Sequence, residues 1–568
     1  MYKFKSRNCN NIRNLDTNVT TLCLNTKINM KKLIFSLATA LLISTSVFAQ
    51  NANEPQKEVN LKEWQHLSLE DSGVYGVNTN KALNFLKQKN RKAQPLVVGV
   101  LDSGVEVTHE DLKDNAWVNP KEKKDGKDND NNGYIDDIHG WNFIGGKDGQ
   151  NVDNDTLELT RLFKKYKVKF VNSGEAEANK SKFPAEYEQY LKLKNEFEKE
   201  LAEATQYSVQ YNQIYNTLKE PVNSLVKELG NQKLTEEFML TYQPKSEETK
   251  KAMMLFAMVP KEAWLGKTAE EFGTSTLGEI KEGVDHFEKQ LKYNLNLDFD
   301  PRPIVGDDYA NLNERFYGNN DVDGPDSNHG THVSGIIAAK RGNGIGIDGI
   351  AGDGNVKILS VRTVPSGDER DKDVANAIRY AVDNGAKILN MSFGKAYSPN
   401  KDIVWDAFKY AEQKGVLLIK AAGNDNLNID EDIHYPTVYN DKGIPVSNNV
   451  ITVGSSTSVT SNLKSDFSNY GVKSVDVFAP GSDIYSAIPT RDGKYKSNSG
   501  TSMASPVVAG VAALVWSHYP TLTAQEVKQI IMESVNKNEQ LTNISVTGGV
   551  VDAYKAVQLA EKSVSKKK

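Results

Sequence analysis

The sequence predicts an α/β fold: a mostly parallel sheet with helices on both faces, interrupted by a large helical insertion. Three observations carry this. A short, apolar, β-branched run, LVVGVLDS, occupies Leu96–Ser103 and has the composition of a buried strand. From about residue 329 onward, strand and helix signals alternate. Strands that alternate with helices form parallel sheets covered on both sides. Between these two parts, residues 156–300 are poor in Gly and rich in Lys, Glu, Leu and Tyr.

The elements follow in chain order. After the Leu96–Ser103 strand, the insertion carries Tyr190, Phe197, Leu201, Ala204, Tyr211, Tyr215 and Leu218 at spacings of three, four and seven. That is one apolar helical stripe, interrupted by Lys194 and Ser208. Val356–Val361 reads as a strand, Asp371–Asn384 as a helix closed by Gly385, and Lys387–Met391 as a strand. Asp402–Lys414 is a helix closed by Gly415, and Val416–Ala422 a strand. Ser502–Tyr519 is a long apolar helix stopped before Pro520. Thr523–Val535 is a helix opened by a Thr523/Glu526 capping box.

The composition, 38% hydrophobic and 25% charged over 568 residues, excludes collagen-like, disulfide-scaffold and wholly disordered chains. The formal net charge is −5 with no dominant basic stripe, which argues against nucleic-acid binding. Lys31-Lys32, the apolar run Leu33–Ile43 and the small residues ending at Ala49 read as a secretory signal peptide starting at Met30. The run is too short to span a bilayer, and no Cys at the cleavage point suggests a lipid anchor. Both cysteines, Cys9 and Cys23, precede Met30, so the mature protein has neither thiol nor disulfide. Residues 1–49 carry seven Lys or Arg and one Asp, so the exported remainder is more acidic still.

Three segments carry chemistry. VLDSG puts Asp102 at the carboxyl end of a buried strand, NHGTHVSG puts His329 at a helix start, and GTSMASP puts Ser502 at another. Strand carboxyl ends and helix N-termini converge on the edge of an α/β sheet where sites form. A Ser hydroxyl is a weak nucleophile until a base takes its proton, and the base needs a carboxylate to fix its tautomer.

With those residues in that order, the sequence resembles the subtilisin-like serine proteases, the subtilases, over Trp64–Asn142 and Asn319–Ala560. The resemblance implies that Asp102, His329 and Ser502 are acid, base and nucleophile. KAAGND matches the family's oxyanion segment and implies that Asn424 donates to the tetrahedral oxygen beside the Ser502 backbone N–H. ILNMSFG resembles the substrate-binding strand, where Ser392, Phe393 and Gly394 would pair with an extended peptide. Two departures stand out. Gln50–Trp64 is too short for a folded propeptide. Asp102 and His329 are 227 residues apart, far more than in compact members. The segment Gly549–Tyr554 resembles the family's final turn and helix, so no extra C-terminal binding domain is expected.

His329 and His332 form H-x-x-H without the Glu of a zinc protease, so His332 reads as a packing residue. Gly344–Gly349 matches G-x-G-x-x-G but precedes a strand, and the dinucleotide reading fails on context. Gly330 and Gly500, beside the catalytic residues, are expected at tight turns or close backbone approaches. In KDGKDNDNNGYIDD, Asp128, Asp130 and Asn132 alternate ahead of Gly133, and Asp136 and Asp137 follow. Oxygen ligands at alternate positions around a turn suit structural Ca²⁺, although His139 stands where an EF-hand needs Glu. A solvated, Asx-rich turn is the alternative.

The expected organisation is an upstream extension (1–29), a signal peptide (30–49), a subtilisin-like catalytic domain in two parts (50–155 and 301–560) split by a helical insertion (156–300), and a basic tail (561–568). The expected function is an exported serine endopeptidase, secreted or periplasmic, acting on peptides or proteins through an acyl-enzyme. The alternatives are a non-catalytic binding protein on a protease scaffold, and a narrow-specificity peptidase or esterase gated by the insertion. Nothing in the sequence bears on oligomeric state.

Overall fold

The computed structural model describes residues 61–566 apart from 257, 258 and 354. The expected upstream extension, the signal peptide and both cysteines lie outside the described residues. The contacts divide the chain into two units, one comprising Asn53–Gln206 with His286–Lys568 and the other built on Tyr207–Asp285.

The larger unit carries the sheet. Its strands are β1 (Leu96–Asp102), β2 (Gly140–Asn142), β3 (Val356–Arg362), β4 (Ile388–Met391), β5 (Leu417–Ala421), β6 (Val450–Ser456) and β7 (Val477–Pro480). There follow β8 (Ile484–Ala487), β9 (Tyr495–Asn498), β10 (Val535–Lys537) and β11 (Gly549–Val551). Nine of them form one sheet in the order β10-β11-β7-β6-β5-β4-β1-β3-β2. Every pair in it is parallel except β10 with β11. The remaining two, β8 and β9, make a separate antiparallel hairpin.

The strands read as near-continuous apolar runs because both faces are covered. Along β1, Val98 and Val100 enter one core and Leu101 the other. Along β5, Leu417 and Ile419 enter the first and Leu418 the second. This is the two-residue period of a strand buried on both sides.

The helices used below are α1 (Glu158–Lys167), α2 (Pro184–Leu229), α3 (Ala269–Lys289), α4 (Asn328–Ala338), α5 (Asp371–Asp383), α6 (Lys401–Gln413), α7 (Thr501–His518), α8 (Ala524–Glu533) and α9 (Ala553–Lys566). The first core takes α4, α7, α8 and α9, and the second takes α5 and α6. α7 is apolar on all sides because it is central: every residue in it except Ser502 is buried. The expected capping box at the start of α8 is present, with Thr523 and Glu526 exchanging hydrogen bonds. Observed helix and strand ends differ from the expected ones by one or two residues, as fraying ends do.

The stretch expected as one helical insertion does not form one body. Its outer parts join the sheet unit, and Tyr207–Asp285 is separate. The reason lies in where the apolar stripe of α2 is buried. Tyr190, Phe197 and Ala204 pack with Leu159, Phe163, Phe170 and Leu295, against Tyr397 from the loop after β4. Leu218 instead packs with Ile214, Val222 and Leu255. A further cluster in the smaller unit holds Leu225, Leu234, Phe256, Trp264 and Phe272, the last on α3. One sequence stripe thus serves two cores. Among the described residues no helix is long and apolar enough to cross a membrane.

Candidate active site

Asp102 ends β1, beside Arg362 at the end of β3. His329 is the second residue of α4 and Ser502 the second of α7. Asp102 and His329 meet at the carboxyl edge of the sheet, and Ser502 opens α7 against Ser392, which follows β4.

The close approach of α4 to β1 depends on Gly330. A Cβ there would lie 2.1 Å from the Gly104 carbonyl oxygen. Any larger residue would push His329 away from Asp102. Gly500 differs from expectation: its φ of 162° is extended backbone, and a Cβ there would meet nothing nearer than 3.6 Å. The steric constraint is at Gly330 alone of these two. From the other side, the β8–β9 hairpin anchors α4. His332 donates from Nε2 to the Lys496 carbonyl at 3.0 Å, and Ser486 Oγ donates to the His332 carbonyl at 2.8 Å. Burial pushes the His332 imidazole down to about 3, so it is neutral, which agrees with a packing role.

Asp102 is 2% exposed and its Oδ1 lies 2.7 Å from His329 Nδ1. The Ser103 backbone N–H also donates to Oδ1, at 2.8 Å, and Oδ2 is buried without a partner. Burial pulls the His329 imidazole down, but the charge of Asp102 and its hydrogen bond outweigh this, and the group lies above its ordinary value. This contact fixes the proton of the neutral ring on Nδ1 and leaves Nε2 as acceptor.

The Ser502 hydroxyl donates to the Ser392 carbonyl at 3.0 Å, and among the described residues no hydrogen bond joins it to His329. Ser392 Oγ donates in return to the Ser502 carbonyl at 2.9 Å. Behind them, Asn390 bridges Ser392 Oγ and Ser505 Oγ at 2.9 and 2.8 Å. These bonds lock the first turn of α7 onto the end of β4.

Asn424 follows β5. Its Oδ1 accepts from the Thr501 backbone N–H at 2.8 Å and from Thr501 Oγ1 at 2.9 Å. The amide oxygen is thereby occupied, and the NH₂ group is left to donate into the cleft. Phe393 and Gly394 take no backbone–backbone hydrogen bond among the described residues, whereas Lys395 pairs with Tyr435 at 2.9 Å in both directions.

The chain leading into the insertion is fastened beside that segment by buried charges. Lys395 Nζ reaches Glu158 at 3.0 Å and Asp371 at 2.9 Å, and Arg161 holds Glu158 at 2.7 Å. Tyr397 donates to Glu196 on α2. Sequence reasoning missed Thr501, Asn390, Ser505 and Lys395. For Asn390 and Ser505 the signal was a polar residue at a position that the strand and helix patterns assign to the interior, whereas Thr501 and Lys395 lie outside those patterns.

The expected metal loop is rearranged. Glu122, Asp130 and Asp137 bring carboxylate oxygens within 4.8 Å of one another. Asp128 instead accepts from the Asn132 and Gly133 amides at 3.1 and 2.8 Å, and Asp136 accepts from the Asp125 and Gly126 amides at 3.0 Å. Both serve the turns, and neither is among the three carboxylates that converge. Asn132 donates to Asp137 Oδ2 at 3.1 Å, and Tyr380 donates to the same oxygen at 2.6 Å. Burial pushes the Asp137 carboxyl up to about 6. Glu122 is missing from the expected set because it lies upstream of the alternating run. It is 8% exposed, and its Oε2 is buried with no hydrogen-bond partner.

A model of the family described as Subtilase family matches residues 94–548. The cell wall-associated protease of Bacillus subtilis (strain 168) is 34% identical over 246 residues, 43% of this chain and 25% of that protein. The thermophilic serine proteinase of Bacillus sp. (strain AK1) is 38% identical over 285 residues, 49% of this chain and 60% of that protein. Thermitase of Thermoactinomyces vulgaris is 41% identical over 236 residues, 40% of this chain and 75% of that protein. The matches thus span a quarter of the first relative's length and three-fifths of the second's.

Proposed function

The chain belongs to the subtilase family, and from that premise we propose that it is an exported serine endopeptidase whose triad is Asp102, His329 and Ser502. The observation that carries the proposal is the 2.7 Å contact between Asp102 Oδ1 and His329 Nδ1, at the edge where Ser502 opens α7. In the reaction, Ser502 Oγ leaves the Ser392 carbonyl, gives its proton to His329 Nε2 and bonds to the peptide carbonyl carbon. The carbonyl oxygen becomes the oxyanion, which accepts from Asn424 Nδ2 and the Ser502 N–H. His329 then passes the proton to the departing amine, the C–N bond breaks, and the acyl-enzyme forms. Water, deprotonated by the same nitrogen, releases the acid and restores Ser502. The acyl side of the substrate pairs with Phe393 and Gly394, whose backbone is free for a strand.

A fluorophosphonate probe tests this reading. The expected result is a single adduct at Ser502 on a protein whose N-terminus is Gln50, both read by peptide mapping. Folded protein that takes no label is the scaffold alternative, and an adduct elsewhere removes the triad assignment.

Asn424→Ala is expected to lower kcat by about 10²–10³ with little change in KM, the scale established for subtilisin's own oxyanion asparagine. Steady-state kinetics on a peptide substrate checks it. A change confined to KM or to melting temperature removes Asn424 from the oxyanion role.

We also propose that Glu122, Asp130 and Asp137 hold a structural Ca²⁺. Hard carboxylate oxygens suit that ion, and the buried, unpartnered Oε2 of Glu122 supports a cation among them. A ligand that binds only the folded state at a hundred times its Kd adds about 2.7 kcal/mol of stability. Chelation is therefore expected to lower Tm by several degrees, and Glu122→Gln to abolish most of that response. A melting curve indifferent to both chelator and added calcium favours the plain turn.

A further inference from the structure

Beside His329, on its Ser392 side, lies a cavity of about 230 Å³. Asp102, Ser103 and Arg362 line it together with the segment Val364–Ser366, and so do Asp153 and Asp326. Its charges do not balance. Arg362 is the one permanently cationic residue of the lining, and it is 1% exposed. Its guanidinium donates to the carbonyls of Ser103 and Val152 and to Asn142 Oδ1, not to a carboxylate. Four carboxylates, those of Asp321, Asp153, Asp326 and Asp323, act on it through space. Asp323 has a second cation in Arg491, at 3.7 Å. Asp153 and Asp326 make no ion pair among the described residues. Asp153 Oδ2 accepts from Asn154 at 2.9 Å and Asp326 Oδ1 from the Asn328 amide at 3.1 Å, so each keeps its other oxygen for a ligand. Ser103 Oγ is buried with no partner and can accept a hydrogen bond.

We infer that this cavity selects a Lys or Arg side chain of the substrate, with Asp153 and Asp326 as the specificity-determining residues. The inference rests on the peptidase reading above and names its substrate class. Excess negative charge in a walled cleft attracts a cation more strongly than the same charge on open surface. Neighbouring side chains of an extended substrate point to opposite sides. With the acyl side paired along Phe393 and Gly394, as proposed, alternation sends one of two neighbouring side chains toward His329 and this cavity, and we assign that place to the residue before the one that is acylated. The preferred cleavage site therefore has a basic residue one position before the residue that is acylated. Asp153 lies in the chain that leads into the insertion, and Asp326 in the loop that leads into α4. The selecting pair is thus assembled from both sides of the long interruption.

The test compares two peptides that differ only at that position, one with Lys and one with norleucine, which has a similar unbranched chain and no charge. The expected kcat/KM ratio is at least about tenfold in favour of Lys at low salt, as for a single well-placed charge contact. It should fall toward one in the double variant Asp153→Asn/Asp326→Asn, and in the wild type as salt is raised. A wild-type ratio near one, or a ratio that neither the variant nor salt alters, overturns the inference. If the double variant does not fold, the salt series decides alone. The same peptides titrated onto Ser502→Ala read the cavity without catalysis. Tenfold tighter binding of the Lys peptide by a protein whose wild type cleaves neither would overturn the peptidase reading and leave the cavity's preference standing. Equal binding of the two would overturn the inference itself.

Discussion

Ser502→Ala is expected to fold as the wild type does and to lose about six orders of magnitude in kcat, the scale that subtilisin itself shows when its nucleophile is removed. The fold survives because the hydroxyl contributes one hydrogen bond, to the Ser392 carbonyl at 3.0 Å. The bonds that hold the first turn of α7 come from elsewhere: the Ser502 carbonyl, Thr501 and Ser505. What disappears is the atom that forms the acyl bond. Substrate binding should persist, since the Phe393–Gly394 segment and the Asn424 amide are untouched. The measurement is turnover of a chromogenic peptide, with the melting temperature as control. A stable variant with wild-type turnover would end the assignment of the nucleophile.

Asp102→Asn is expected to lower kcat by about 10⁴, again on the scale known for serine proteases, and to move the pH profile in a defined direction. The carboxylate accepts the His329 Nδ1 proton at 2.7 Å. An amide presents its NH₂ group as readily as its oxygen, which favours the tautomer whose proton sits on Nε2 and cannot accept from Ser502. The charge effect is separate. Burial pulls the His329 imidazole down, while Asp102 raises it above its ordinary value. Activity requires the neutral ring, so kcat/KM of the wild type rises with pH through a pKa above the usual histidine value. Without the carboxylate the upward pull falls to that of Asp326 alone, the larger downward pull of burial prevails, and the acid limb shifts to lower pH. A pH–rate profile of the variant whose acid limb stays in place, or moves upward, would remove Asp102 as the partner of the base.

Much of the site was legible because the chemistry sits in short contiguous words. VLDSG, NHGTHVSG and GTSMASP each place one residue type at a strand end or helix start. The local pattern puts Asp102 near the carboxyl end of a strand and His329 and Ser502 at helix starts, and the observed ends fall within one residue of those readings. The partners of those residues were not legible in the same way. Thr501 fixes the Asn424 amide across 77 residues of sequence, and Asn390 reaches Ser505 across 115. Such pairs come from strand order, which periodicity does not encode. The strands β6 and β7 were passed over as well, being short runs with no helix between them to mark the alternation.

The metal loop shows the same division. Alternating Asp and Asn residues announced a turn rich in oxygen ligands, but which carboxylates converge is set by how the loop folds on itself. Asp128 and Asp136 accept from backbone amides outside the cluster, whereas Glu122 accepts amides on Oε1 and keeps Oε2 unpaired.

By itself, then, the sequence determined the α/β class, the placing of Asp102 at a strand end and of His329 and Ser502 at helix starts, and the presence of a helical interruption between the first two. These depend on local propensity and on residue types a few positions apart, which the chain carries wherever it folds. Only the tertiary structure decided that the interruption divides, its outer parts joining the sheet unit and Tyr207–Asp285 forming its own. It also decided that Glu122 replaces Asp128 and Asp136 in the acidic cluster, and that Asp153 and Asp326 share a cavity with His329. The physical reason is common to all three. Burial, convergence and charge balance are set by which side chains the folded chain brings together, and spacing along the sequence does not encode that.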